Sequence, residues 1–321
     1  MKMKTILLTG TSGVVGKLLA ARLINDFKII ALGSDYSRIP ESLRHHKNLK
    51  FYERNLLQIE STKDLSITEP IDLVLHLAGI VSGTKMNEED YFKINADSTK
   101  LFLNFAKEKH CIAFGLASSV SVYGAHNDKI HKSSERKGIS IYARSKILAE
   151  DYCFHSNIPF SIFRIASVYG LGTKSYISKL YSLLKKGFYP SLPKERKKSL
   201  LHVEDLADAL ESWCRKTILG KPILPVYVLS HPEAVTTKDV IQEFRNQNAT
   251  RSQGIGIPIF RFFVPIFNAV YKWLRKIRKI PYHGSPLDPL LYSVEIYDEN
   301  SWKDLYLEPK WDLRKGISQY K

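Results

Sequence analysis

Thr5-Ile6-Leu7-Leu8-Thr9-Gly10-Thr11-Ser12-Gly13-Val14-Val15-Gly16 runs from a strand-like apolar segment straight into three glycines spaced three apart, and then into a helical pattern. Glycine there serves a tight turn, close approach of backbone to a pyrophosphate, and close packing of helix on strand. The free amides and the dipole at the start of the following helix favour a phosphate. Placement between strand and helix lifts the glycines above an ordinary structural turn, so Gly10, Gly13 and Gly16 predict the first βα unit of a dinucleotide site.

Outward from that unit, Lys28 to Leu32, Leu49 to Tyr52, Leu73 to Leu77, Ile112 to Ala117, Phe160 to Arg164 and Val226 to Leu229 read as strands. Val15 to Ile24, Asn95 to Lys107 and Tyr142 to His155 read as helices between them. That alternation predicts an α/β fold with a doubly wound parallel sheet. From Val168 the rhythm breaks, with the basic Lys194-Glu195-Arg196-Lys197-Lys198 and a proline-punctuated, aromatic-rich tail after Thr250. A second, smaller domain is expected there, discontinuous because Val226 to Leu229 still reads as a buried strand. The expected division is a dinucleotide-binding domain of residues 1–167 and 199–230, and a substrate domain of 168–198 and 231–321.

Composition bounds the class. The 321 residues carry 48 Lys and Arg against 32 Asp and Glu, a net charge of +16, and 44% are hydrophobic. Such a chain folds, is basic, and at roughly 150 residues per domain is long enough for about two of them. Disorder, collagen and a disulfide-stapled mini-fold are excluded. Cys111, Cys153 and Cys214 stand far apart, in no metal-ligand spacing and in odd number. Neither a metal nor a disulfide framework is expected, and a reducing cytoplasm is the expected setting. No apolar run reaches the roughly 18 to 20 residues that span a bilayer. The positive charge leaves an anionic substrate or an anionic membrane surface open; without interleaved aromatic stacking motifs, nucleic acid is not expected.

Asp35 stands nineteen residues beyond Gly16, just past the second strand, where a carboxylate would accept hydrogen bonds from the adenosine ribose of NAD. Ser34 and Arg38 beside it would instead suit the 2′-phosphate of NADP, so both cofactors stay open. Tyr142-Ala143-Arg144-Ser145-Lys146 puts a phenol and an ammonium one helical turn apart on one face. The ammonium is expected to lower the phenol's pKa toward neutrality, as proton exchange at pH 7 requires.

With these pieces in order, the sequence resembles the extended short-chain dehydrogenase/reductase family, in particular its NAD-dependent nucleotide-sugar epimerases, dehydratases and ketoreductases. The resemblance rests on the glycine turn, His76-Leu77-Ala78-Gly79 at the fourth strand end, Asn95 opening the next helix, and Ser118-Ser119 before Tyr123-Gly124. It continues through Tyr142/Lys146, Arg164 to Gly170 and Leu201 to Ala207 to a tail near Trp311 and Gly316. It implies a Rossmann fold with a smaller, discontinuous C-terminal substrate domain. Tyr142 would be the general acid/base, Lys146 its pKa partner and the holder of the nicotinamide ribose, and Ser119 the hydroxyl on the reacting oxygen. NAD or NADP would meet Gly10, Ser12, Gly13, Val14, Val15 and Gly16, then Ser34, Asp35, Asn55 and Leu56, then Leu77, Ala78, Gly79 and Asn95, besides Tyr142 and Lys146. The substrate would meet Ser119, Ser167, Lys197 and Lys198.

Three departures bear on the implied chemistry. Val120 and Ser121 stand where related 4,6-dehydratases carry an acidic pair, which disfavours dehydration. Ser167 replaces a common phosphate-contacting asparagine, and Asn55 a common aspartate near the adenine. A nucleotide-sugar 4-epimerase or 4-ketoreductase is the leading expectation. A lipid-alcohol or hydroxysteroid dehydrogenase and a non-catalytic nucleotide-binding or RNA-binding relative are the alternatives.

From Pro258 to Ile280, apolar Ile259, Phe262, Phe263, Ile266, Phe267, Val270, Tyr271, Leu274 and Ile277 recur at helical spacing while Lys272, Arg275, Lys276 and Lys279 crowd the other side of the second half. Pro265 suits the first turn of a second helical piece, so a break is expected before it. Packing inside the substrate domain, a homodimer interface, and peripheral membrane contact through 265–280 are open fates for this segment.

Overall fold

The computed structural model describes residues 3–82, 84, 86–124, 129–191, 195–247, 255–258, 264–277 and 294–320. Strand β1 (Thr5–Thr9) is buried at every position because it lies mid-sheet, with β2 (Lys28–Gly33) on one side and β4 (Leu73–His76) on the other. With β3 (Leu49–Glu53), β5 (Ala113–Ser119), β6 (Phe160–Ile165) and β10 (Val226–Leu229), they form a seven-stranded sheet in the order β10-β6-β5-β4-β1-β2-β3. Every pairing in it is parallel. Parallel neighbours need crossover helices, which cover both faces and bury the strands.

Side chains alternate across the sheet. Ile6 and Leu8 of β1 join one core with Leu19 and Leu23 of α1 (Val14–Leu23) and Leu206, Leu210 and Trp213 of α7 (Val203–Ile218). Leu7 faces the other, with Phe102 and Phe105 of α4 (Ser98–Glu108) and Ala149 and Cys153 of α5 (Ile141–Phe154). Gly115 admits the Trp213 ring: a Cβ there would lie 2.8 Å from Cη2. Arg22 ties α1 to α7 through Glu204 and Asp208.

The chain runs outward from β1 to β3 and returns to β4, so the strand order reverses between β1 and β4, the place where open parallel sheets bind ligands at the C-terminal strand ends. The expected strands and helices match these elements to within two residues at most ends. One departure matters: the helix expected over Asn95 to Lys107 begins as a π-helical turn, Lys93–Asp97, after α3 (Glu88–Phe92). Its extra residue lets Asn95 point inward, fully buried.

The later chain builds two short parallel pairs, β7 (Ser167–Tyr169) with β9 (Leu200–His202) and β8 (Phe188–Ser191) with β11 (Ile255–Pro258). A third core joins Ile177 and Leu180 of α6 (Tyr176–Lys185), Val240 and Phe244 of α8 (Thr237–Asn246), and Ile317 of α11 (Leu313–Ile317). β10 returns to the sheet edge beside β6, and α10 (Glu299–Asp304) carries Trp302 into the main core. The chain beyond residue 231, assigned whole to a substrate domain above, is therefore divided between the flank of the large sheet and the smaller core. The apolar segment forms α9 (Val264–Ile277), with Pro265 in its first turn; the break expected before it lies outside the described residues. Its Ile266, Phe267, Val270, Trp273, Leu274 and Ile277 are exposed, which removes internal packing as the fate of that face.

Candidate active site

The glycine turn sits at the switch point. Gly10 adopts φ +76°, and an added Cβ there would lie 2.7 Å from the Ala78 nitrogen, so the bare backbone lets this turn touch the end of β4. A Cβ on Gly16 would lie 2.5 Å from the Gly10 carbonyl oxygen, which makes Gly16 a packing glycine. At Gly13 the added atom meets only that oxygen, at 3.1 Å. Gly13 is the N-cap of α1, no side chain caps the helix, and its first turn holds no acid. The leading amides at Val14, Val15 and Gly16 thus lack a side-chain acceptor, and Thr11 Oγ1 beside them is buried without a partner among the described residues. These groups fit a pyrophosphate.

Ser12 Oγ donates to the Asp35 carbonyl oxygen at 3.1 Å, tying the turn to the end of β2. The half-buried Asp35 carboxylate accepts from Ser37 N at 2.9 Å and Ser37 Oγ at 2.5 Å, and the hydroxyl's hydrogen bond holds it below the usual carboxylate range. Ser34 beside it is exposed. Asn55 is exposed and caps the turn Leu56–Gln58 by accepting from Leu57 N at 3.1 Å, while Leu56 is half-buried.

At the end of β4, His76 is buried between two hydroxyls, Nδ1 2.8 Å from Thr9 Oγ1 and Nε2 3.0 Å from Ser98 Oγ. Burial lowers its pKa to about 3, so the ring is neutral. Ser98 Oγ already donates to Ile94 O at 2.5 Å and Thr9 Oγ1 accepts from Ala78 N at 3.0 Å, which assigns the ring proton to Nε2. The chain of bonds fixes the Leu77-Ala78-Gly79 backbone. Asn95 holds the next step, accepting from Ile80 N at 2.9 Å and donating to Ile80 O at 3.2 Å and Ser145 Oγ at 3.0 Å. A Cβ on Gly79 would lie 2.9 Å from Asn95 Oδ1 and 3.1 Å from Lys146 Nζ, so these three residues converge.

Ser119 ends β5 and hydrogen-bonds the Tyr142 phenol from α5. Ser118, its neighbour, points the other way and donates to Glu150 Oε1 at 2.6 Å. Lys146, one turn after Tyr142, is buried and donates to the Ala117 carbonyl oxygen at 2.8 Å. Here one expectation is corrected. Burial raises the Tyr142 pKa, opposed by the Ser119 hydrogen bond, instead of Lys146 lowering it. The ammonium's own pKa is lowered to about 8 by burial, with Glu150 opposing that change. For each group desolvation is the larger effect, and it acts against the charged form.

Glu150 is the residue that sequence reasoning missed. Fully buried on α5, it accepts from Arg164 Nη2 at 2.7 Å and Nε at 3.0 Å, and its partners join α5 to β5 and β6. Its one legible signal was an acid four residues after Lys146.

The expected substrate residues separate. Ser167 is exposed on β7 and Lys197 is exposed, whereas Lys198 is buried. Lys198 Nζ has no hydrogen-bond partner among the described residues, lies 4.9 Å from the Tyr176 ring centroid, and is lowered to about 8 by burial. The tail closes on the same lobe. Asp205 accepts from Lys310 N at 2.8 Å and Trp311 N at 3.1 Å, Trp311 stacks on His202 at 4.2 Å, and Gly316 leaves room for the Tyr169 ring.

Residues 6–219 match the NAD dependent epimerase/dehydratase family. An uncharacterized UDP-glucose epimerase of Bacillus subtilis, YtcB, is 32% identical over 184 residues, 51% of this chain and 57% of that protein. The dTDP-D-glucose 4,6-dehydratase of Dictyostelium discoideum is 28% identical over 273 residues, 75% of this chain and 61% of its own length. The matches thus span less than two thirds of those relatives. Among solved structures, UDP-glucuronic acid 4-epimerase from Bacillus cereus in complex with NAD superposes with a TM-score of 0.74 at 18% identity, covering 98% of this chain and 96% of that one. ADP-L-glycero-D-manno-heptose-6-epimerase of Helicobacter pylori superposes with a TM-score of 0.74 at 20% identity, covering 99% and 95%. These two likenesses are of fold.

Proposed function

Because this chain belongs to the NAD dependent epimerase/dehydratase family, we propose that it oxidises and re-reduces C4 of a nucleotide-activated sugar, as a 4-epimerase. One observation carries the reading: the Tyr142 phenol, hydrogen-bonded to Ser119, lies one helical turn from the buried Lys146 ammonium. Bound in the Gly10 to Gly16 turn, NAD supplies the hydride acceptor and, for the return, its donor. Once its own proton has passed to solvent, Tyr142 as phenolate takes the proton of the 4-hydroxyl as that oxygen becomes a carbonyl; the 4-keto sugar then turns over, so that hydride returns to the other face of C4 while Tyr142 gives the proton back to the same oxygen. The Ser119 hydroxyl holds the same oxygen against the phenol. Lys146, at about 8, stays charged at pH 7 and stabilises the phenolate at the moment of transfer.

Asp35, held ionised by Ser37, supports NAD over NADP, since it accepts from a ribose hydroxyl and repels a 2′-phosphate. The buried Lys198, whose Nζ has no hydrogen-bond partner among the described residues, is the candidate for the substrate's diphosphate, with the exposed Ser167 and Lys197 as further candidates. Val120 and Ser121 after Ser119 carry no carboxyl, so dehydration is not proposed, although several relatives are named 4,6-dehydratases.

The test is a panel of UDP-, GDP- and dTDP-sugars incubated with NAD(H) or NADP(H) and followed by NMR. Inversion at C4 without net cofactor consumption is expected. Stoichiometric consumption of reduced cofactor would mark a 4-ketoreductase using the same three residues. Folded protein that binds NADH yet leaves C4 of every sugar untouched would overturn the reading.

A further inference from the structure

Helix α9 carries an apolar stripe that nothing among the described residues covers. Ile266, Trp273 and Ile277 are 60%, 60% and 59% exposed, and Phe267, Val270 and Leu274 are exposed with them. At about 100° per residue these six positions fall on roughly a third of the helix circumference. The positions of Lys272, Arg275 and Lys276 fall on the opposite side by the same count. Of the side chains described on α9, only Asn268 and Tyr271 are half-buried.

Charge identifies what this face meets. Residues 244–287 contain eight Lys or Arg and no Asp or Glu, the strongest run of one sign in a chain of net charge +16. A second copy docking through the stripe would set two such segments against each other, and like charges in an apolar contact repel. An anionic bilayer offers the reverse: an acyl boundary for the stripe and headgroups for the basic side, with tryptophan at home in the interface.

We propose that α9 docks the protein on the surface of an anionic phospholipid membrane, its axis in the plane and its apolar stripe at the acyl boundary. Its 14 residues measure about 21 Å, short of the roughly 30 Å hydrocarbon core, so it lies on the membrane. No helix among the described residues is long and apolar enough to cross one. β11, which pairs with β8, ends six positions before the helix begins. This inference does not depend on the proposed reaction.

The experiment is co-sedimentation of the full chain with vesicles of phosphatidylcholine alone and of phosphatidylcholine mixed with phosphatidylglycerol, at low and high salt. Binding to the anionic vesicles only, released by high salt, is expected. The emission of Trp273 should shift to the blue on binding, because Trp213 and Trp302 are already buried and Trp311 is stacked; Trp273→Phe should abolish the shift. Replacing Lys272, Arg275 and Lys276 together by Glu should weaken binding by at least about a hundredfold, since each basic residue near such a surface contributes about fivefold. NADH binding and the thermal midpoint of each variant verify its fold. No sedimentation at low salt, or equal binding to neutral vesicles, overturns the proposal. So does a concentration-dependent dimer that Trp273→Glu dissociates while vesicles capture nothing. The readout is binding, so failure of the sugar reaction with vesicle binding intact would sink the proposed function alone.

Discussion

Tyr142 and Lys146 lie one helical turn apart, yet burial governs their acidities more than nearness does. With the phenol above its ordinary value, Tyr142 starts protonated, which in the proposed reaction would suit it to protonate the sugar oxygen in the reductive half. The proposed oxidative half would need the Lys146 charge to stabilise the phenolate. Turnover is therefore expected to fall with the loss of one proton as pH rises through about 8. The sign for stability is opposite. The unfolded lysine keeps its proton up to 10.5 while the folded one releases it near about 8, so between those values rising pH favours the fold. Loss of rate above pH 8 with unchanged circular dichroism is the expected pairing; parallel loss of both would refute it. Tyr142→Phe removes only the proton-exchanging oxygen. It should lower kcat by on the order of 10² to 10⁴ while NADH affinity, followed by fluorescence, stays near the parent value.

At the scale of elements, the glycines of the β1–turn–α1 unit meet different surroundings. Gly13→Val places a branched side chain at the uncapped helix start, where the only near contact of its Cβ is the Gly10 oxygen at 3.1 Å. Loss of NADH binding with a thermal midpoint close to the parent is expected. Gly16→Ala drives a Cβ to 2.5 Å from the same backbone oxygen and 2.8 Å from Thr11 Cα, so it should lower the midpoint itself. A reversal of these two phenotypes would show that Gly13 serves the turn and not the cofactor. The π-helical turn at Lys93–Asp97 is the other element with a purpose legible from its contacts, since it delivers Asn95 to both the Ile80 backbone and Ser145 of α5.

For the whole molecule, closure depends on the tail returning to α7. Asp205 satisfies the Lys310 and Trp311 amides, and Trp311 covers His202. Asp205→Ala leaves two donors unpaired at that junction and should cost about 2 kcal/mol in urea unfolding, with earlier proteolysis after residue 305. An unchanged midpoint would mean that the tail is held by the Tyr169, Phe244 and Tyr320 cluster alone.

Strand runs, the glycine turn, and the four-residue spacing of Tyr142 and Lys146 were readable from the chain because period and spacing are local properties that the backbone geometry converts directly into faces and turns. The preference for Ser119 over Ser118 came from the family's spacing to Tyr123, and the structure turns the two apart, Ser118 toward Glu150 and Ser119 toward the Tyr142 phenol. Other features depend on residues far away in sequence. Lys197 and Lys198 are equivalent on paper, and only the packing around Tyr176 buries one and exposes the other. Glu150 resembles any helical acid until Arg164, fourteen residues on, closes on it. The stripe on α9 fitted a buried helix as well as an exposed one until the tertiary structure left it uncovered. The direction of the Tyr142 pKa belongs with these, because desolvation is set by every neighbour that excludes water, and those neighbours come from strands and helices that the local pattern around a residue does not name.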